Sequence, residues 1–110
     1  MEFSTKIVKD NLIVKLLGEL DHHTSEEVRK KIDQLYFNNN LLNIVLDLRG
    51  LNFMDSSGIG LIMGRYKNCT ERKGKVSIVS TNSYIDRILK MSGLLKIVNA
   101  FPTIEEAIKD

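Results

Sequence analysis

Apolar and polar positions alternate at the start of the chain and then give way to helical spacing. Residues 3–9 and 12–20 are β-like, and the second run sets Leu12, Val14 and Leu16 against Asn11, Ile13 and Lys15. The "KDN" between them suits a tight turn, so the pattern predicts an opening hairpin. "TSEE" at 24–27 has capping-box spacing, in which the Thr24 hydroxyl accepts a backbone N–H and Glu27 reaches back. Val28, Ile32 and Leu35 follow at helical intervals, which places a first helix over 25–37. "NIVLDL" at 43–48 has no clearly polar outward positions, as expected of a central strand covered on both faces.

Beyond Arg49 and Gly50, "LNFMD" leads into a second helix over 57–73, closed by Gly74. A strand is expected at 75–80. A third helix follows, capped by Asn82 or Ser83, carrying Ile85, Ile88 and Leu89 and ending at "MSGLL". A strand at 96–99 precedes a short last helix begun by Pro102 and Thr103, where Thr103 and Glu106 repeat the capping-box spacing. This order predicts an α/β fold in which a mixed sheet of four to five strands carries about four helices.

With 110 residues the chain can bury one core, so residues 1–110 read as a single domain. Hydrophobic residues make up 43% and charged residues 27%, which disfavours disordered and fibrous classes. The net charge of +2 is scattered among Lys, Arg, Asp and Glu, whereas a nucleic-acid binder gathers its basic residues on one face. Cys69 is the single cysteine and has no internal disulfide partner, which fits a reducing cytoplasm. No uninterrupted run approaches the ~18 apolar residues of a membrane span, and the charged first twenty residues do not read as a signal peptide. The expectation is a cytoplasmic protein with no membrane and no direct nucleic-acid partner.

Candidate chemistry gathers in "FMDSSGIGLIMGRYK", 53–67. On a helical wheel Ile59, Ile62, Met63, Tyr66 and Cys69 form one side, the expected core face. Gly60, Leu61, Gly64 and Asn68 fall opposite with Ser57, where two glycines each cost roughly 1 kcal/mol relative to Ala. Either a neighbouring helix of the same domain crosses tightly there, or the flat face docks a partner. Arg65, Lys67, Arg72 and Lys73 read as a solvated face. Asp55 and Ser56 stand just ahead of the first turn, where free N–H groups and the helix dipole favour oxygen acceptors and negative charge. One cap residue is sufficient for that, and "DSS" offers three. A phosphorylated serine here would carry about −1.5 to −2 charges and remain tolerable to its own helix.

"GELDHHTSEEV" at 18–28, then "IVLDLRGLNFMDSSGIGLIMGRYK" and "MSGLLKIV", closely resemble the anti-sigma factor antagonists of the STAS family, most nearly the sporulation branch of the sigma-F system. The resemblance covers nearly the whole chain. It implies a STAS fold and a regulator rather than an enzyme: the unphosphorylated form binds a dimeric anti-sigma factor that is also a serine kinase using ATP, and so releases the sigma factor. Phosphorylation blocks binding, and a serine phosphatase reverses it. The implied phosphoacceptor is Ser56. Asp21, in the "LDHH" turn, is implied as a partner contact, and the expected docking set is Asp21, Asp55, Ser57, Gly58, Gly60, Leu61 and Gly64. No cofactor of the chain's own and no metal is expected. Two rival readings remain: a small serine hydrolase with Ser56 as nucleophile, His22 or His23 as base and Asp21 or Asp55 as orienting acid, or a STAS domain that senses a small ligand. The first lacks the glycine spacing of a nucleophile elbow.

Overall fold

The computed structural model describes residues 1–109. Strands β1 (Glu2–Val8) and β2 (Asn11–Leu20) form the opening hairpin, followed by α1 (His22–Asn38), β3 (Asn43–Met54), α2 (Ser56–Glu71), β4 (Val76–Val79), α3 (Ser83–Ser92), a 3-10 helix (Leu94–Lys96), β5 (Asn99–Phe101) and α4 (Ile104–Lys109). The five strands lie in the order β1-β2-β3-β4-β5. Only β1 runs antiparallel to its neighbour; the β2–β3, β3–β4 and β4–β5 pairs are parallel.

The sheet is covered on both faces, as the unbroken apolar run of β3 requires. On one face Leu12, Val14, Leu46 and Ile78 meet Val28, Ile32 and Tyr36 of α1, Ile62 and Cys69 of α2, and Ile85 and Leu89 of α3 in the main core. On the other, Ile13, Val45 and Val79 pack under Ala107 of α4 with Ile104 and Ile108 beside them. Burial of this apolar surface is the main favourable contribution to folding.

Several boundaries differ from the pattern-based expectation, each for a local reason. The first helix begins at His22 because Asp21 is its N-cap, and Thr24 is the third helical residue rather than the cap. The central strand runs on to Met54 because β2, after register shifts near Lys15 and Gly18, continues to pair with it through Leu20. The last strand starts at Asn99, since residues 94–96 wind into the 3-10 helix behind left-handed Gly93.

The end of α2 also differs. The left-handed position is taken by Lys73, at φ 64, not by Gly74. Gly74 is needed for a different reason: its backbone passes so close to the Leu42 carbonyl that a Cβ would collide with it. We expect Gly74→Ala to lower the unfolding free energy by about 1–3 kcal/mol. Lys73→Gly should raise it by up to about 1 kcal/mol by relieving the left-handed conformation. Urea unfolding monitored by circular dichroism checks both signs.

Candidate functional site

The site begins with strand register. Leu20 and Met54 end β2 and β3 opposite one another, and the Asp55 N–H donates to the Leu20 carbonyl at 3.3 Å. Each strand is followed by an aspartate in nearly the same extended conformation, φ −110 and ψ −170 at Asp21, φ −109 and ψ −167 at Asp55. Each aspartate caps the next helix. The Thr24 N–H donates to Asp21 Oδ1 at 3.0 Å while the Asp21 N–H donates to Thr24 Oγ1 at 2.8 Å, a reciprocal capping box. The Ser57 N–H donates to Asp55 Oδ1 at 2.8 Å. Two helix N-termini therefore open side by side at the carboxyl edge of the sheet, and neither has an acidic residue in its first turn. Hydrogen bonds from Thr24, backbone first and side chain second, hold the Asp21 carboxyl below its ordinary range.

Asp21, Asp55 and Ser57 are half-buried at this edge, and Ser56, the first residue of α2, is exposed. Along the same helix Gly60 is exposed and Gly64 half-buried, and a Cβ built on either would meet nothing within 4 Å. A tight crossing inside the domain is thus not what these glycines serve. Gly58 and Leu61 face the other way. A Cβ on Gly58 would lie 2.8 Å from Met54 Sδ and 3.1 Å from Leu20 Cδ2, and Leu61 is 4% exposed. The inward line of α2 is Gly58, Leu61, Ile62, Arg65 and Cys69, while Met63, expected inside, is 52% exposed. The helix is rotated from the hydropathy-based orientation because α1 packs along the Leu61–Arg65 side.

That rotation buries Arg65, expected in solvent, at 6% exposure. Its Nε lies 3.0 Å from Asp33 Oδ1 of α1, and its Nη1 donates to the Leu61 carbonyl at 3.4 Å. The Nε and Oδ1 atoms are close but misaligned for a hydrogen bond, so charge attraction carries the contact. Burial lowers the basicity of Arg65, Asp33 opposes the change, and nearby Arg29 adds to it. Arg29 itself meets both Glu26 carboxylate oxygens at 3.1 Å and lies 3.8 Å from Asp33 Oδ2.

Between α1 and α2 this leaves a cleft of about 250 Å³ lined by His22, Ser25, Glu26, Arg29, Ser57, Gly60, Leu61 and Arg65. Sequence reasoning missed Ser25, Arg29 and Arg65. Arg65 lies on the core-facing line of its helix, but nothing local reveals that a carboxylate from α1 accompanies it. His22 lines the cleft beside Ser57, and its ring stands 6.2 Å from that of His23 in an edge-on arrangement.

This chain belongs to the STAS domain family, whose signature spans residues 2–107. Among its relatives, the anti-sigma F factor antagonist of Paenibacillus polymyxa is 48% identical over 87 residues, covering 79% of this chain and 74% of that protein. The anti-sigma factor antagonist SpoIIAA in its unphosphorylated form superposes with a TM-score of 0.86 at 32% identity, over 97% of this chain and 93% of that one. The Bacillus cell fate determinant SpoIIAA in its phosphorylated form gives 0.78 at 31% identity, over 98% and 97%.

The depressed Asp21 carboxyl makes its cap pH-dependent. A folded-state pKa below the unfolded one contributes stability at neutral pH that is lost as pH falls through the folded value. Asp21→Ala should therefore lower the urea midpoint at pH 7, and the gap to the parent should close below about pH 4 as the parent carboxyl protonates. Parallel urea titrations across that range check it.

Proposed function

We propose that this chain is an anti-sigma factor antagonist acting in the cytoplasm by partner switching. In its unphosphorylated form it docks on an anti-sigma factor that is also a dimeric, ATP-using serine kinase, and so frees the sigma factor. The kinase then phosphorylates Ser56 and the complex dissociates; a serine phosphatase restores the docking-competent form. The chain needs no cofactor of its own.

The observation that carries this reading is the exposed Ser56 on the first turn of α2, next to Gly60, whose outer side is open. The hydroxyl is accessible to a kinase, and the flat surface beside it admits close approach of another backbone. The names of the relatives point the same way, and the related SpoIIAA structures include an unphosphorylated and a phosphorylated form. Asp21 and Asp55 flank the hydroxyl as partner contacts, with Ser57 and Gly64 at the margin. Gly58 and Leu61, being inward, act by shaping the helix rather than by touching the partner.

The energetics require no change of fold. Moving a bound population from nearly all to nearly none takes about 5.5 kcal/mol of differential affinity. A phosphate adds about −1.5 to −2 charges next to the Asp55 carboxylate, and burying it unpaired in an interface costs at least several kcal/mol. At a helix N-terminus the same phosphate is compatible with its own helix.

Incubation with the cognate anti-sigma kinase and ATP, followed by mass spectrometry, should place one phosphate on Ser56; modification of Ser57 instead, or of neither, would overturn the assignment. Gly60→Ala should stabilise the free chain by about 0.5–1 kcal/mol through helix propensity. The same variant should bind the kinase at least about tenfold more weakly, a loss of roughly 1.4 kcal/mol. Undiminished binding would remove the flat face from the interface.

A further inference from the structure

We propose that the cleft between α1 and α2 is a binding site for a small oxyanion of the phosphate or sulfate class, independent of any modification of Ser56. Three observations converge on it. First, the cleft sits where two capped helix N-termini open side by side: His22 begins α1, Ser57 is the second residue of α2, and the first turn of each lacks an acidic residue. Second, two guanidinium groups border it, Arg29 from α1 and Arg65 from α2, close enough that the charge of Arg29 depresses the basicity of Arg65. Third, Ser25 lines the cleft at 7% exposure with its hydroxyl buried and without a hydrogen-bond partner. A buried donor left unpaired is uncommon and costly, and a ligand oxygen is the acceptor that this hydroxyl lacks.

The geometry favours an anion over a cation or a neutral metabolite. The cleft lining is rich in donors: two hydroxyls, two guanidiniums and an imidazole. The carboxylate in the lining, Glu26, is already engaged with Arg29 at 3.1 Å, and Asp33, outside the lining, lies 3.0 Å from Arg65 Nε. Gly60 leaves the mouth open, since nothing stands within 4 Å of where its Cβ would be. The volume of about 250 Å³ suits a tetrahedral oxyanion with some water rather than a large organic ligand. In the bound state Arg29 swings from Glu26 toward the anion and offers its planar fork of donors, while the Ser57 and Ser25 hydroxyls complete the cage.

The competition between Glu26 and the ligand for Arg29 gives variants of opposite sign. The unphosphorylated, isotope-labelled chain is titrated with sodium phosphate at fixed pH and at ionic strength held constant with sodium chloride, and amide and arginine side-chain shifts are followed. Saturable shifts at Ser25, Arg29, Ser57 and Gly60 are expected. Arg29→Gln should weaken the phosphate affinity at least fivefold. Glu26→Gln should tighten it, and the distant charge control Glu71→Gln should leave it unchanged. Replacing phosphate by sulfate should give the same shifts. Shifts that never saturate, that appear equally at the N-terminus of α3, or that survive Arg29→Gln unchanged would overturn the site. Because Arg29 and Glu26 are solvent-accessible at their charged ends, unchanged circular dichroism of both variants shows that folding is not the cause. Kinase binding is not needed for any arm, so this result is separate from the fate of the partner-switching reading.

Discussion

The pairing of Leu20 with Met54 is the constraint on which the rest depends. Parallel strands that end in register release their chains at the same edge. Here each released chain enters an aspartate cap with nearly identical backbone angles. The helices that follow must therefore start together, and everything of functional interest is a consequence of that shared starting line. The exposed Ser56, the open flank of α2 and the cleft toward α1 are all within the first turns after it. A slip of one residue in this register would turn every side chain of a strand to the opposite face and would separate the two caps.

A second constraint ties the helices to each other. Burying a guanidinium without compensation is strongly unfavourable, so Arg65 and Asp33 specify how α1 and α2 lie together more than they add to stability. Breaking such a pair costs more than it contributes, which makes it a determinant of relative orientation. The side of α2 opposite the sheet is thereby freed of any packing duty, and the two glycines there remain uncovered.

Much of the architecture was legible in the sequence because local signals agreed. The apolar runs gave the strands, the turn chemistry gave the hairpin, and the fold class followed from element order. The misreadings arose where tertiary contact overrode local pattern. Hydropathy assigned Met63 inward and Arg65 outward, since a wheel cannot know that a carboxylate awaits on a neighbouring helix. Thr24 looked like a cap because of Glu27, whereas Asp21 three residues earlier closes the box with Thr24 itself. Gly74 looked like a left-handed terminator, but its role is to let the Leu42 carbonyl pass, and a lysine takes the left-handed turn. The Asp55-Ser56-Ser57 start was visible from spacing alone, yet the cleft beside it was not, because its floor is built from α1.

The uncovered glycines carry one further implication. Within this chain nothing opposes a methyl group at Gly60 or Gly64, and helix propensity would favour one. Random drift judged only by how well the isolated molecule folds would erase them. Under the proposed docking, their presence answers a demand imposed from outside the molecule, and the surface is half of a fit rather than a blank stretch of helix.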